Sequence, residues 1–132
     1  MKVEDFFTRT NHETPVKLPL LLDGEDSGEY LMVLGCEARS VARDKINWGI
    51  AYAKAQEALK EATKDASTED ATEERIKVET AVYTPFANAL VVDWSFGDMD
   101  KDKLAMLIDE HPGLAISIVN QSFAHSLESK KK

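Results

Sequence analysis

Ala89-Leu-Val-Val-Asp-Trp-Ser-Phe-Gly-Asp-Met-Asp-Lys-Asp-Lys-Leu-Ala-Met-Leu-Ile-Asp-Glu-His-Pro112 is the stretch around which the chain is read. It carries three instructions in sequence. A helical segment ends in the apolar turn Leu90-Val-Val-Asp-Trp94. A polar loop follows, with Asp98 or Asp100 placed to cap a helix from Lys101 to Glu110. That helix, apolar at Leu104, Leu107 and Ile108, stops at Pro112. Trp94 and Phe96 are the largest apolar side chains in this half, and both are expected to pin neighbouring segments together.

On the C-terminal side, Gly113 to about Leu127 reads as a last helix. Leu114, Ile116, Val119, Phe123 and Leu127 fall at helical spacing. Ser129-Lys-Lys-Lys132 reads as a solvated, disordered basic tail. On the N-terminal side, Ser67 or Thr68 starts a helix from about Glu69 to Val92, with acids favoured in its first turn. Pro85 lies inside that helix, so a kink or boundary is expected near Thr84. Before it, residues 38–66 read as one long helix with two adjacent apolar faces. Val41, Ala42, Ile46, Gly49, Ile50 and Ala53 form the first, and Trp48, Ala51, Tyr52, Ala55 and Leu59 the second.

The start of the chain has a different period. Pro15 to Leu22 is apolar and β-compatible, and Pro19 restricts it to an edge. Asp23-Gly-Glu-Asp-Ser-Gly28 reads as a six-residue turn, and Glu29 to Cys36 as a second strand. Met1 to Phe7 reads as a short helical turn whose Val3, Phe6 and Phe7 dock on the core. Thr8 to Thr14 reads as loop. The expected fold is therefore α+β and mostly helical: a hairpin over 15–36, then about four helices, two of them long, over 38–127, in a single domain spanning 1–132.

Composition narrows the function. The chain has 132 residues and a net charge of −8, with 43% hydrophobic residues. An acidic surface argues against general nucleic-acid binding and against anionic membranes. The lone Cys36 forms no internal disulfide and fits a reducing compartment. The N-terminus lacks the pattern of a signal peptide, and no apolar run approaches the ~20 residues of a membrane span.

Candidate chemistry is sparse. His12, His111 and His125 have no metal-ligand spacing. Ser40, Ser95 and Ser122 lie outside any nucleophile-elbow context, and a free Cys is most often a small buried hydrophobe. Asp98-Met-Asp-Lys-Asp102 lacks the central Gly and distal Glu of a calcium loop. The glycines serve a hairpin rather than a phosphate loop. No catalytic residue, cofactor or metal is expected, which leaves surface as the carrier of function.

Three stretches carry a resemblance. The first is Leu20-Leu-Leu-Asp-Gly-Glu-Asp-Ser-Gly-Glu-Tyr-Leu-Met-Val-Leu-Gly-Cys-Glu-Ala-Arg-Ser-Val-Ala-Arg43. The second is Leu90-Val-Val-Asp-Trp-Ser-Phe96, and the third Leu104-Ala-Met-Leu-Ile-Asp-Glu-His-Pro-Gly-Leu-Ala-Ile-Ser-Ile118. Their order over residues 15–125 resembles the tail assembly chaperones of long-tailed, lambda-like bacteriophages. The chain departs from that pattern at Cys36-Glu-Ala-Arg39, where an Asp-Ser pair would follow Gly35.

The resemblance implies a non-enzymatic protein of the host bacterial cytoplasm, absent from the mature virion. Such a protein binds the tape measure protein, recruits tail tube protein and works as a homo-oligomer. It also implies a longer form made by ribosomal frameshifting, for which an A-rich run at codons 130–132 would be the signal. Trp48, Tyr52 and Leu59 on the second face of the long helix, with Phe123 and Leu127 on the last helix, are the candidate partner-binding residues. A head–tail joining protein and a small ligand-binding domain are the alternatives.

Overall fold

The structure, a computed structural model, describes residues 2–6, 12–111 and 113–131; side chains are described for all of these except 5, 6 and 126–131. Strands β1 (Val16–Leu22) and β2 (Glu25–Val33) form an antiparallel hairpin, and β3 (Val91–Trp94) adds to the far side of β2. Four α-helices follow the hairpin: α1 (Ala42–Ala62), α2 (Thr68–Leu90), α3 (Lys101–Glu110) and α4 (Leu114–Lys131). The protein is α+β and mostly helical, as its sequence predicts, with a three-stranded sheet in place of a bare hairpin.

The hairpin turn is tighter than expected. Leu22 pairs with Glu25, so the loop is the dipeptide Asp23-Gly24, both at positive φ (53° and 83°). Asp-Gly in this conformation matches the right-handed strand twist that two-residue hairpins require. The remaining turn-like residues lie within β2 as a bulge. Gly28 there also has positive φ, Gly28 N–H donates to Asp26 Oδ1 at 2.9 Å, and Ser27 Oγ–H donates to Leu20 O at 2.8 Å.

α2 is the hub, packing against α1, α3 and α4. Ser67 caps it by accepting the Asp70 N–H at 3.1 Å, with Glu69 and Asp70 in the first turn. Of the kink or boundary expected near Thr84, the boundary does not form, and the helix runs through Pro85 to Leu90. An interior proline costs about 3 kcal/mol. Phe86 and Leu90, immediately beyond it, are almost fully buried. Burying side chains of that size gains roughly 1.5–3 kcal/mol each, enough to carry the helix past the proline.

The apolar turn at Leu90 is in fact the entry to β3. Leu31 pairs with Trp94 and Val33 with Val91, and Leu34 N–H donates to Leu90 O at 2.9 Å. The core gathers Leu31 and Val33 of β2, Phe86 and Leu90 of α2, Leu104 and Ile108 of α3, and Ile118 and Val119 of α4. Trp94 belongs to it and donates from its indole N–H to Asp98 O at 3.2 Å. Phe96 does not pin segments as expected. It is 52% exposed and meets Trp94 edge-on.

Several expected boundaries shift. A 3-10 turn, Arg39–Val41, precedes α1, and α1 ends at Ala62 rather than near residue 66. Within that turn the Ser40 hydroxyl donates to Glu13 Oε2 at 2.9 Å. Val3 begins a short 3-10 turn but is exposed rather than docked. Asp100 caps α3 as read, accepting from Asp102 and Lys103 N–H. The tail expected to be disordered continues α4 in helical form through Lys131. Phe7, Pro112 and Lys132 lie outside the described residues.

Candidate functional site

The two apolar faces of α1 take opposite roles from those expected. Trp48, Tyr52 and Leu59 turn inward. The Trp48 ring lies 5.6 Å from Tyr52, 5.6 Å from Tyr83, 5.6 Å from Phe86 and 5.7 Å from Phe123, joining α1, α2 and α4. Leu59 is buried. Four of the five candidate partner-binding residues thus contribute to the inward packing of the isolated chain: Trp48, Tyr52 and Phe123 half-buried, Leu59 buried. The side chain of Leu127 lies outside the description.

The outer face of α1 is the unpartnered one. Ile46 is 63% and Ile50 53% exposed, and Gly49 and Ala53 are exposed beside them. Their spacing places all four on one stripe of the helix. A Cβ at Gly49 would meet nothing within 4 Å. Spacing reveals that α1 has two apolar faces but not which of them is covered. The signal that separates them is size, because indole and phenol rings bury more apolar area than isoleucine and glycine.

A second apolar surface lies between β1 and the α3–α4 junction. Leu18 to Leu22 of β1, Phe96, and Leu107 and Leu114 of the α3–α4 junction enclose a groove of about 600 Å³. Leu22 at its mouth is 62% exposed.

Several of the polar groups weighed as chemistry have structural partners, whereas the buried Ser122 hydroxyl has no hydrogen-bond partner among the described residues. His12 is fully buried. Its Nδ1 accepts the Glu37 N–H at 2.9 Å, and its ring stacks on His125 with centroids 5.1 Å apart. His125 Nε2 lies 2.8 Å from Thr14 O, where it donates. Cys36 is buried, and its N–H donates to Ser122 O at 3.4 Å. Ser95 Oγ accepts the Tyr30 N–H at 2.9 Å and donates to Glu29, tying the loop after β3 to β2. Asp100 Oδ1 is occupied in capping α3. Among the described residues no three His, Cys, Asp or Glu side chains converge as metal ligands would.

Two side chains are electrostatically displaced. Burial pushes the Tyr83 phenol above its ordinary range, and nearby Tyr52 and Glu79 add to the effect. Burial holds the Lys101 ammonium below the ordinary lysine range, against the opposing pull of Asp44. Both groups belong to the helix packing, on the evidence of the rings around Tyr83 and the carbonyl partners of Lys101.

Compared with family models, with curated proteins and with solved structures, the chain gives no match. No helix among the described residues is long and apolar enough to cross a membrane.

Proposed function

We propose that the chain is a non-enzymatic tail assembly chaperone of a long-tailed bacteriophage. It works as a homo-oligomer in the host bacterial cytoplasm, binds the tape measure protein, helps recruit tail tube protein, and is left out of the finished virion. The reading rests on the resemblance over residues 15–125 and on one structural observation, the exposed stripe Ile46, Gly49, Ile50 and Ala53 along α1. A holding protein needs apolar surface that its own fold leaves uncovered. A stripe at helical spacing suits a helical client, whose side chains pack into it as ridges into grooves, and the gap at Gly49 allows close approach.

Co-expression with the tape measure protein of the same genome tests the reading. The two should co-purify, and Ile50→Glu should abolish capture while leaving the circular dichroism spectrum unchanged. A wild-type chain that captures no tape measure protein would overturn the proposal. So would finding the chain in purified virions, which would make it a joining or structural protein instead.

A further inference from the structure

We infer that the groove between β1 and the α3–α4 junction takes up an extended aliphatic segment of a partner protein, flanked by lysine or arginine. The inference does not depend on the tail-assembly reading. Three observations carry it.

The first is the position of β1. The strand order is β1-β2-β3, so β1 has one unpaired edge. Successive side chains of a strand point to opposite faces. Yet the consecutive residues Leu18, Pro19, Leu20, Leu21 and Leu22 all line the groove. The bulge opposite Leu20 breaks that alternation, and Glu29 of β2 and Phe96 beyond β3 line the groove too, so it lies across one face of the sheet and ends at its outermost strand.

The second is the apolar interior. Leu18, Leu20, Leu107 and Leu114 are partly buried and pack against the core. Leu22 and Phe96 leave the mouth apolar at 62% and 52% exposure. Five strand residues span about 16 Å, the length of roughly five residues of an extended segment.

The third is charge, and it selects the partner. Glu29 lines the groove, and Asp23, Glu25 and Asp26 stand at the hairpin tip beside it. Asp109 and Glu110 immediately precede His111, the one basic side chain among the described residues of the wall. Among the described residues none of these acids is in an ion pair. Lys17, the hairpin's lysine, is drawn over the Tyr30 ring at 4.3 Å. An acidic segment would be repelled from such a rim, whereas a basic-flanked one would neutralise it.

The test is fluorescence anisotropy with a labelled peptide of about nine residues, an alternating valine–leucine core between lysine pairs. Two controls carry glutamate pairs around the same core and lysine pairs around a glycine–serine core. The lysine-flanked aliphatic peptide should bind, and each control should bind at least about tenfold more weakly. Raising salt from about 50 mM to about 500 mM should weaken binding. Leu22→Glu and Phe96→Ser alter exposed side chains, so the fold survives, and each should lower affinity about tenfold. No binding, equal binding of the glutamate-flanked peptide, or indifference to both variants would overturn the inference. Self-association of the chain that Leu22→Glu abolishes would also overturn it, by assigning the groove to a second copy.

Discussion

His12 Nδ1 accepts the Glu37 N–H at 2.9 Å, which fixes the imidazole directly against Gly35. Gly35 N–H donates in turn to His12 O at 2.9 Å, so backbone and ring are both held. A Cβ at Gly35 would stand 2.6 Å from His12 Cγ, closer than carbon atoms pack. Gly35→Ala should therefore destabilise the protein by about 1–3 kcal/mol, through overpacking rather than backbone strain. Gly49→Ala is the contrast. It sits inside α1 with nothing within 4 Å, and alanine is the better helix former by about 0.5–1 kcal/mol. Thermal unfolding should show the first variant with a lowered Tm and the second with a raised one. A lowered Tm for both would mean that Gly49 is covered.

Trp48 and Ile50 lie two residues apart on α1 and should respond in opposite ways. Trp48 meets four aromatic rings, and truncating a large packed aromatic to alanine costs roughly 3–5 kcal/mol when the site is fully buried. Trp48 is half-buried, so the lower end of that range is expected. Ile50→Glu replaces an exposed side chain and should change stability by no more than about 0.5 kcal/mol. Urea unfolding of the two variants decides which face of α1 is packed. A severe loss for Ile50→Glu with little for Trp48→Ala would restore the face assignment expected from the sequence.

These two residues also mark where the sequence could be read and where it could not. Elements announced by local chemistry were legible: Asp100 capping α3, Ser67 capping α2, and the change from strand to helical period near Gly35. Elements decided by distant partners were not. Val91–Trp94 is a strand because Leu31 and Val33 of β2 lie beside it, and nothing local separates such a short apolar run from a helix end. Pro85 sits within a helix because Phe86 and Leu90 are buried beyond it. The α1 stripe was visible as a periodicity, but its exposure depends on where α2 and α4 pack. The groove at β1 joins residues from the hairpin and the α3–α4 junction, which are far apart in sequence. Of the candidate site, the sequence therefore offered the residues without their orientation.

Tyr83 should make the protein sensitive to alkali. Its folded pKa is raised above the ordinary 10.0, chiefly by burial, so the folded protein keeps the phenolic proton longer than the unfolded chain. Stability from this group is complete below pH 10.0 and declines as pH rises through the folded value. Lys101 acts in the opposite sense. Its folded pKa is below 10.5, so its burial cost is in force below the folded value and is relieved as pH approaches 10.5. Urea midpoints measured from pH 8 to about pH 11 should separate the two. Tyr83→Phe should lose less stability than wild type above pH 10.0, whereas Lys101→Met should lose more. Parallel curves for Tyr83→Phe and wild type would show that the phenol does not contribute.

Lys101 is also placed where α2 ends and α3 begins. Its ammonium donates to the carbonyl oxygens of Asn88 and Val91, and Asn88 Nδ2 donates back to Lys101 O at 3.3 Å. The last carbonyls of a helix have no partner within it and carry the negative end of its dipole, so a cation there is stabilising. Against this stands the burial that lowers the Lys101 pKa. Hydrogen bonds to a charged group contribute about 1.5–3 kcal/mol each when well shielded, and partial exposure reduces that. Because the Lys101 pKa is lowered, desolvation outweighs the electrostatic gain of the charge, and what the side chain contributes is the pairing of the Asn88 and Val91 carbonyls. Lys101→Met, which keeps the aliphatic stem, should destabilise the protein by about 1 kcal/mol at neutral pH. Faster amide exchange at Leu34, whose N–H donates to Leu90 O at the same junction, should accompany the loss. If Lys101→Met is instead more stable than wild type, desolvation outweighs the carbonyl pairing as well and the junction is held by the burial of Leu90 and Val91 alone.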